Sequence, residues 1–208
     1  MKFSEWTALT NGIQVSDVVT ENDFRITKRI EFSTFSLITA NLYLTSLAGI
    51  TAINLEKYRI EQIFDFAKEF EYKIDSIAHK KFNFEDSKSS DLLSAFDNVS
   101  DEIKSLTSHG HNVVVHCFSG VSRSAAMALA YLMKYERLSL KNAFYKIAEK
   151  RAIVRPNNSF FEQLIEYEKR LFGNSSVTMI ETTLHGKCVT IPDFFEKDDK
   201  LIANEFKE

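Results

Sequence analysis

This chain is poor in residues that punctuate, staple or anchor a protein. Two prolines and six glycines in 208 residues leave few strong breakers, and no internal repeat is evident. Only two cysteines occur, Cys117 and Cys188, far apart. That excludes a disulfide framework and leads us to expect a reducing compartment, cytoplasmic or nuclear. No apolar run approaches the length that spans a bilayer. The start, Met1-Lys2-Phe3-Ser4, carries no apolar signal core, and Lys2 excludes N-myristoylation, so no membrane association is expected. A formal charge of −3 leaves no dense basic stripe, which argues against nucleic-acid binding. What remains is an ordinary soluble composition, 44% hydrophobic and 26% charged, long enough for one domain with a substantial core plus extensions.

What is present concentrates in one stretch, Val113-Val114-Val115-His116-Cys117-Phe118-Ser119-Gly120-Val121-Ser122-Arg123-Ser124-Ala125. A β-branched apolar run ends in His-Cys, a tight turn closes on Arg, and an Ala-rich helix begins. A thiolate is the reactive form of cysteine, and the positive end of a helix starting near Ser122 stabilises it. The amides of Phe118, Ser119, Gly120, Val121, Ser122 and Arg123 can converge as an anion nest, with Gly120 free to take the turn's backbone angle. Arg123 adds a planar, always-charged fork that matches two phosphoryl oxygens. A buried structural cysteine is the competing explanation. Shuffling this composition, however, yields His-Cys-x5-Arg only about 0.002 times per chain. The stretch therefore reads as a phosphate-binding loop around a nucleophilic Cys117.

The rest of the chain gives the frame. Residues 1–33 show no clear period and read as an N-terminal extension. Strands are expected at Ile38 to Leu44, Ile60 to Phe66 and His79 to Phe84, with Leu55 to Arg59 in a short helical stretch. Leu92, Leu93, Phe96, Val99, Ile103 and Leu106 recur at helical spacing behind a cap at Ser90 or Asp91. Asn112 to Cys117 reads as a fully buried central strand. Helices are expected at 122–135, 139–150 and 158–172, ending at Gly173. The alternation predicts an α/β fold, a mostly parallel central sheet flanked by helices. Cys117 then falls beyond the carboxyl end of a strand, where such sheets bind ligands. In the C-terminal extension, 173–208, two β-rich runs around His185-Gly186 predict a hairpin over 177–191 that must dock on the body. Pro192 ends its second strand, and Glu196 to Lys200 reads as a polar, acidic tail.

His-Cys-x-x-Gly-x-Ser-Arg-Ser resembles the active-site loop of the dual-specificity protein phosphatases, within the cysteine-based protein tyrosine phosphatase superfamily. Leu42-Tyr43-Leu44 is similar to that family's early strand and Ala130-Tyr131-Leu132-Met133 to the helix after its loop. Arg151-Ala152-Ile153-Val154-Arg155-Pro156-Asn157 is similar to the segment beside the loop, and Phe161 to Phe172 to the closing helix. The resemblance covers residues 34–172. It implies the family's fold, a cofactor-free two-step hydrolysis and phosphoprotein substrates.

Roles around Cys117 follow from the chemistry and the resemblance together. The departing oxygen needs a proton that a thiolate cannot supply, so a carboxyl on a loop should give it. Asp86, at a spacing from Cys117 similar to the family's, is the expected acid, with Glu85 and Asp91 as rivals. Ser124 matches the family's hydroxyl that bonds the departing thiolate. Ser122 reads as a helix N-cap. His116 reads as a brace that bonds backbone and shapes the loop. Asn157 resembles a family position that braces the same loop, with a helix N-cap as the competing role. No metal or cofactor is expected: His79, His109, His111 and His185 read as surface or loop residues forming no ligand cluster. Cys188 reads as an ordinary small apolar residue.

Phe118, Ser119 and Val121 inside the loop lack the lysines of phosphoinositide phosphatases, and no sugar-binding module is present. The chain is also too short for the deep pocket of the large tyrosine-specific enzymes. The expected activity is hydrolysis of phosphotyrosine and phosphoserine or phosphothreonine through a cysteinyl-phosphate intermediate. The alternative is a pseudophosphatase that captures phosphoproteins without hydrolysing them; an RNA 5′-triphosphatase is disfavoured by the missing basic surface. Arg25, Lys28 and Arg29 beside Ile26 and Ile30 faintly resemble a docking peptide for a protein kinase, although such clusters are common on solvated faces.

Overall fold

The computed structural model describes residues 32–72, 74–184 and 186–196. The cluster at Arg25, Lys28 and Arg29, with most of the expected extension, lies outside the described residues. So do His185 and the end of the acidic stretch.

A five-stranded sheet has the order β1-β2-β5-β3-β4. Its strands are β1 (Ser36–Thr39), β2 (Leu42–Ser46), β3 (Ile60–Asp65), β4 (Ala78–Lys81) and β5 (Asn112–Cys117). Only the β1–β2 pair is antiparallel, so the sheet is mostly parallel. The single strand expected over Ile38 to Leu44 is two strands around a tight turn. There Asn41 donates from Nδ2 to the Asn112 side chain at 2.8 Å, and apolar alternation reads straight through so short a turn. β5 is central because Val113, Val114 and Val115 are all fully buried, each worth about 1.5–3 kcal/mol of transfer. Successive strand residues face opposite sides. Accordingly Val113 and Val115 join the main core and Val114 the smaller core on the other face.

The main core lies under α2 (Leu93–Ser108), α3 (Arg123–Glu136), α4 (Leu140–Lys150) and α5 (Asn158–Phe172); α1 (Ala52–Lys57) contributes Leu55 to the opposite face. Ala125, Ala126, Ala128 and Ala130 are buried in α3, and such small side chains let its backbone approach the sheet closely. The start of α2 differs from the expected serine or aspartate cap. Leu92 holds the cap position, and Gln163 Oε1 from α5 accepts the amides of Leu92 and Leu93 at 2.8 and 2.9 Å. Asp91 still accepts the Ser94 amide at 3.1 Å. Gly173 takes a left-handed angle, φ 82°, and closes α5.

Beyond α5, β6 (Met179–Leu184) and β7 (Lys187–Pro192) pair as an antiparallel hairpin. Its anchor is one the sequence reading passed over. Phe194 and Phe195, just past β7, are buried against Phe144 of α4 and Phe161 of α5. Cys188 is exposed on β7 rather than packed as an apolar residue.

Candidate active site

β5 ends by delivering His116 and Cys117 to the rim of the sheet, and α3 begins six residues later at Arg123. The loop between them has to turn tightly, and Gly120 takes φ 66° to do so. A Cβ there would stand 2.4 Å from the Thr45 carbonyl oxygen and 2.7 Å from Arg151 Nη2, so only glycine fits. Arg151, buried, holds the loop's carbonyls outward: Nε donates to Gly120 O at 2.8 Å and Nη2 to Ser119 O at 3.2 Å. Turning carbonyls out turns amides in, toward the space above Cys117. Cys117 is fully buried, and Ser124 donates its hydroxyl to Sγ at 3.2 Å.

Arg123 sits in the first turn of α3. Its end-on edge, Nη1 and Nη2, is taken by the Glu69 carboxylate at 2.8 and 2.7 Å, and Nη1 also donates to Phe84 O at 2.9 Å. Burial alone would push the carboxyl of Glu69 up; the Arg123 fork outweighs it and holds Glu69 below the usual carboxylate range. Arg123 Nε, on the guanidinium's side edge, is buried with no hydrogen-bond partner. A buried cationic N–H without an acceptor is costly, and an anion's oxygen would satisfy it.

Asp86 Oδ2 stands 3.7 Å from that same Nε. Its other oxygen, Oδ1, accepts hydrogen bonds from Ser122 Oγ and Asn157 Nδ2, both at 2.8 Å. The expected capping role of Ser122 is therefore corrected. It occupies the cap position of α3 but makes no side-chain cap bond, because its hydroxyl goes to Asp86. Asn157 does cap α5, accepting the Phe160 amide at 3.0 Å, and its amide nitrogen braces Asp86 rather than the loop. The rivals are elsewhere: Glu85 pairs with Lys68 at the surface, and Asp91 serves α2.

Beneath the loop lies a cluster that sequence reading missed. His116 Nδ1 is 3.2 Å from the Cys117 carbonyl, and Tyr72 donates its hydroxyl to His116 Nε2 at 2.6 Å. Burial holds His116 down to about 4, so the ring is neutral at physiological pH. Burial also pushes the Tyr72 hydroxyl up, which keeps it a donor. Asp65 is fully buried, 3.6 Å from both His116 Nε2 and His79 Nε2, with Lys81 Nζ 3.4 Å away. Burial alone would push the Asp65 carboxyl up. The His79 ring, His116, the Ala67 amide and Lys81 outweigh it and hold Asp65 low. His79 is thus no surface residue: with Asp65 and His116 it forms a group whose ligand atoms all lie within 4.8 Å. The expectation that the histidines form no such cluster is corrected.

At the mouth, the rings of Phe118 and Phe70 stack 5.7 Å apart at 9°, yet remain 49% and 39% exposed. Two exposed aromatics joined beside an anion site form an apolar rim next to Cys117 and Glu69.

The family model described as "Dual specificity phosphatase, catalytic domain" matches residues 42–170. The chain belongs to the dual-specificity phosphatase family. It is similar to human dual specificity protein phosphatase 21, 37% identical over 172 residues, covering 82% of this chain and 88% of that protein. Bovine dual specificity protein phosphatase 18 is 38% identical over 80% of this chain and 87% of its own length. Among solved structures, human DUSP28 aligns with a TM-score of 0.63 at 26% identity, over 66% of this chain and 94% of that one. The chain is accordingly a protein phosphatase, and phosphoproteins are its substrates. No helix of the described residues is long and apolar enough to cross a membrane.

Proposed function

We propose that this phosphatase hydrolyses phosphotyrosine and phosphoserine or phosphothreonine through a cysteinyl-phosphate intermediate. Cys117 Sγ attacks phosphorus in line, and the ester oxygen leaves with the proton of Asp86. Arg123 and the amides of Phe118 to Arg123 carry the charge on the three equatorial oxygens. Asp86, now ionised, takes a proton from water as it attacks the phosphoenzyme, and Ser124 donates to the departing Cys117 thiolate. The observation that carries this reading is the buried Arg123 Nε, without a hydrogen-bond partner and 3.7 Å from Oδ2 of Asp86. A cytoplasmic or nuclear setting belongs to the same proposal; the two unpaired cysteines support it.

The experiment is a rapid-quench reaction with a phosphotyrosine peptide, read by intact-protein mass spectrometry. Ser124→Ala should slow the second step and accumulate protein carrying one phosphoryl group on Cys117, while Cys117→Ser carries none and does not turn over. Normal turnover by Cys117→Ser would end the covalent reading.

A further inference from the structure

The buried cluster beneath the catalytic loop is assembled by strand register. In the parallel ladders His116 of β5 stands beside Asp65 of β3, which stands beside Lys81 of β4; His79, two residues before Lys81, shares its face. The geometry points to a transition-metal site in this cluster, formed by His79 Nε2, His116 Nε2 and the Asp65 carboxylate, that takes Zn²⁺ or a similar imidazole-binding divalent ion.

Two observations carry this. First, the spacing: zinc binds histidine nitrogen at about 2.0–2.1 Å and carboxylate oxygen at about 2.0–2.2 Å, so tetrahedral neighbours stand about 3.4 Å apart. His79 Nε2 is 3.6 Å from Oδ2 and His116 Nε2 3.6 Å from Oδ1 of the same carboxylate, and one ligand atom from each of the three residues lies within 4.8 Å of the others. Second, the His79 side chain is only 9% exposed, and its Nε2 is buried without a hydrogen-bond partner, aimed at Asp65. Two imidazoles and one carboxylate favour zinc, cobalt or nickel over magnesium or calcium.

Two neighbours set the terms. Tyr72 must give up its hydrogen bond to His116 Nε2. Lys81, bonded to the Ala67 and Phe70 carbonyls, competes for Asp65. The site therefore loads when metal is supplied rather than holding a resident ion. Because His116 Nδ1 faces the Cys117 carbonyl, loading would reach the catalytic loop from below.

Binding rather than turnover is the readout, because zinc could also meet the Cys117 thiolate. Full-length protein with both Cys117 and Cys188 replaced by Ser is titrated with Co²⁺, following visible d–d absorption, and dialysed against Zn²⁺. One ion per chain is expected. His79→Phe in that background, which keeps the ring stacked on Tyr72, should bind at least tenfold more weakly. Absence of binding in the parent, or equal binding in His79→Phe, overturns the site and assigns the metal to surface groups such as His111 and Glu61. If circular dichroism shows His79→Phe misfolded, Lys81→Gln decides: removing the competing ammonium should tighten Co²⁺ severalfold, and unchanged affinity overturns the site.

Discussion

Replacing Glu69 with Gln tests which edge of Arg123 a phosphate uses. The Glu69 carboxylate has the two-oxygen shape of a phosphoryl group and already grips the Arg123 fork, so two opposite roles are conceivable. If it fills the substrate's place, removing its charge should tighten phosphate. If it positions Arg123, removing it should weaken phosphate. Geometry favours positioning. Glu69 takes the Nη1–Nη2 edge, whereas the orphaned Nε lies on the Nε–Nη2 edge, beside Asp86. Both can be held at once. A hydrogen bond to a charged group contributes about 1.5–3 kcal/mol, and Gln keeps one neutral acceptor. Glu69 is 43% exposed, so solvent screening reduces the loss to about 1 kcal/mol. That corresponds to about fivefold in kcat/KM on a phosphotyrosine peptide, with inorganic phosphate and vanadate inhibition weakened similarly. Melting curves check that Glu69→Gln stays folded. Tighter phosphate inhibition in Glu69→Gln would refute the assignment of edges.

Two further perturbations probe the frame. His116 is neutral when folded down to about pH 4, while an unfolded histidine takes a proton near 6.5. Stability from this group is therefore full above 6.5 and falls as pH drops toward 4, by about 2 kcal/mol between pH 6.5 and 5. Urea unfolding of His116→Gln should lack that part of the slope; parallel slopes in the two proteins would show that the ring is not held neutral. Phe194→Ala, which empties the anchor of the C-terminal hairpin, should cost about 3–5 kcal/mol in melting experiments while leaving kcat unchanged. Loss of turnover without loss of stability would place the hairpin in the chemistry instead.

The local parts of this protein were legible because local residues dictate them. A β-branched run, a turn closed by glycine and an alanine-rich helix specify strand, loop and helix without help from the remaining chain. That single stretch holds Cys117, Arg123 and Ser124, whereas the choice of Asp86 over Glu85 and Asp91 drew on a spacing similar to the family's. What escaped depends on contacts far apart in sequence. Glu69 sits in a polar loop and looks like any solvated carboxylate until the fold brings it against Arg123, 54 residues away. Arg151 falls in the segment that resembles the one beside the family's loop, but its bonds to the Ser119 and Gly120 carbonyls appear only in the fold. Asp65, His79 and His116 lie on three strands, and only the register of β3 against both neighbours makes them one group. The hairpin was visible in its β-rich runs, but Phe194 and Phe195 fall past Pro192, where a polar tail begins, and nothing local separates an anchor from a tail.

Placing carboxylates around an anion site would ordinarily oppose its purpose, and here each carboxylate is committed elsewhere. Glu69 is bound to the far edge of Arg123, so its charge is matched by the same guanidinium that it orients. Asp65 lies below the loop, matched by Lys81 and separated from the nest by the neutral His116 ring. Asp86 Oδ2 stands 3.7 Å from Arg123 Nε, while its other oxygen is already bonded. Ser122 and Asn157 both donate to Oδ1, which fixes the plane of the carboxyl and leaves Oδ2 directed toward Arg123 Nε. The two residues that steer Asp86 come from the loop's own end and from the cap of α5. Closing the loop and orienting the Asp86 carboxyl are therefore one structural event.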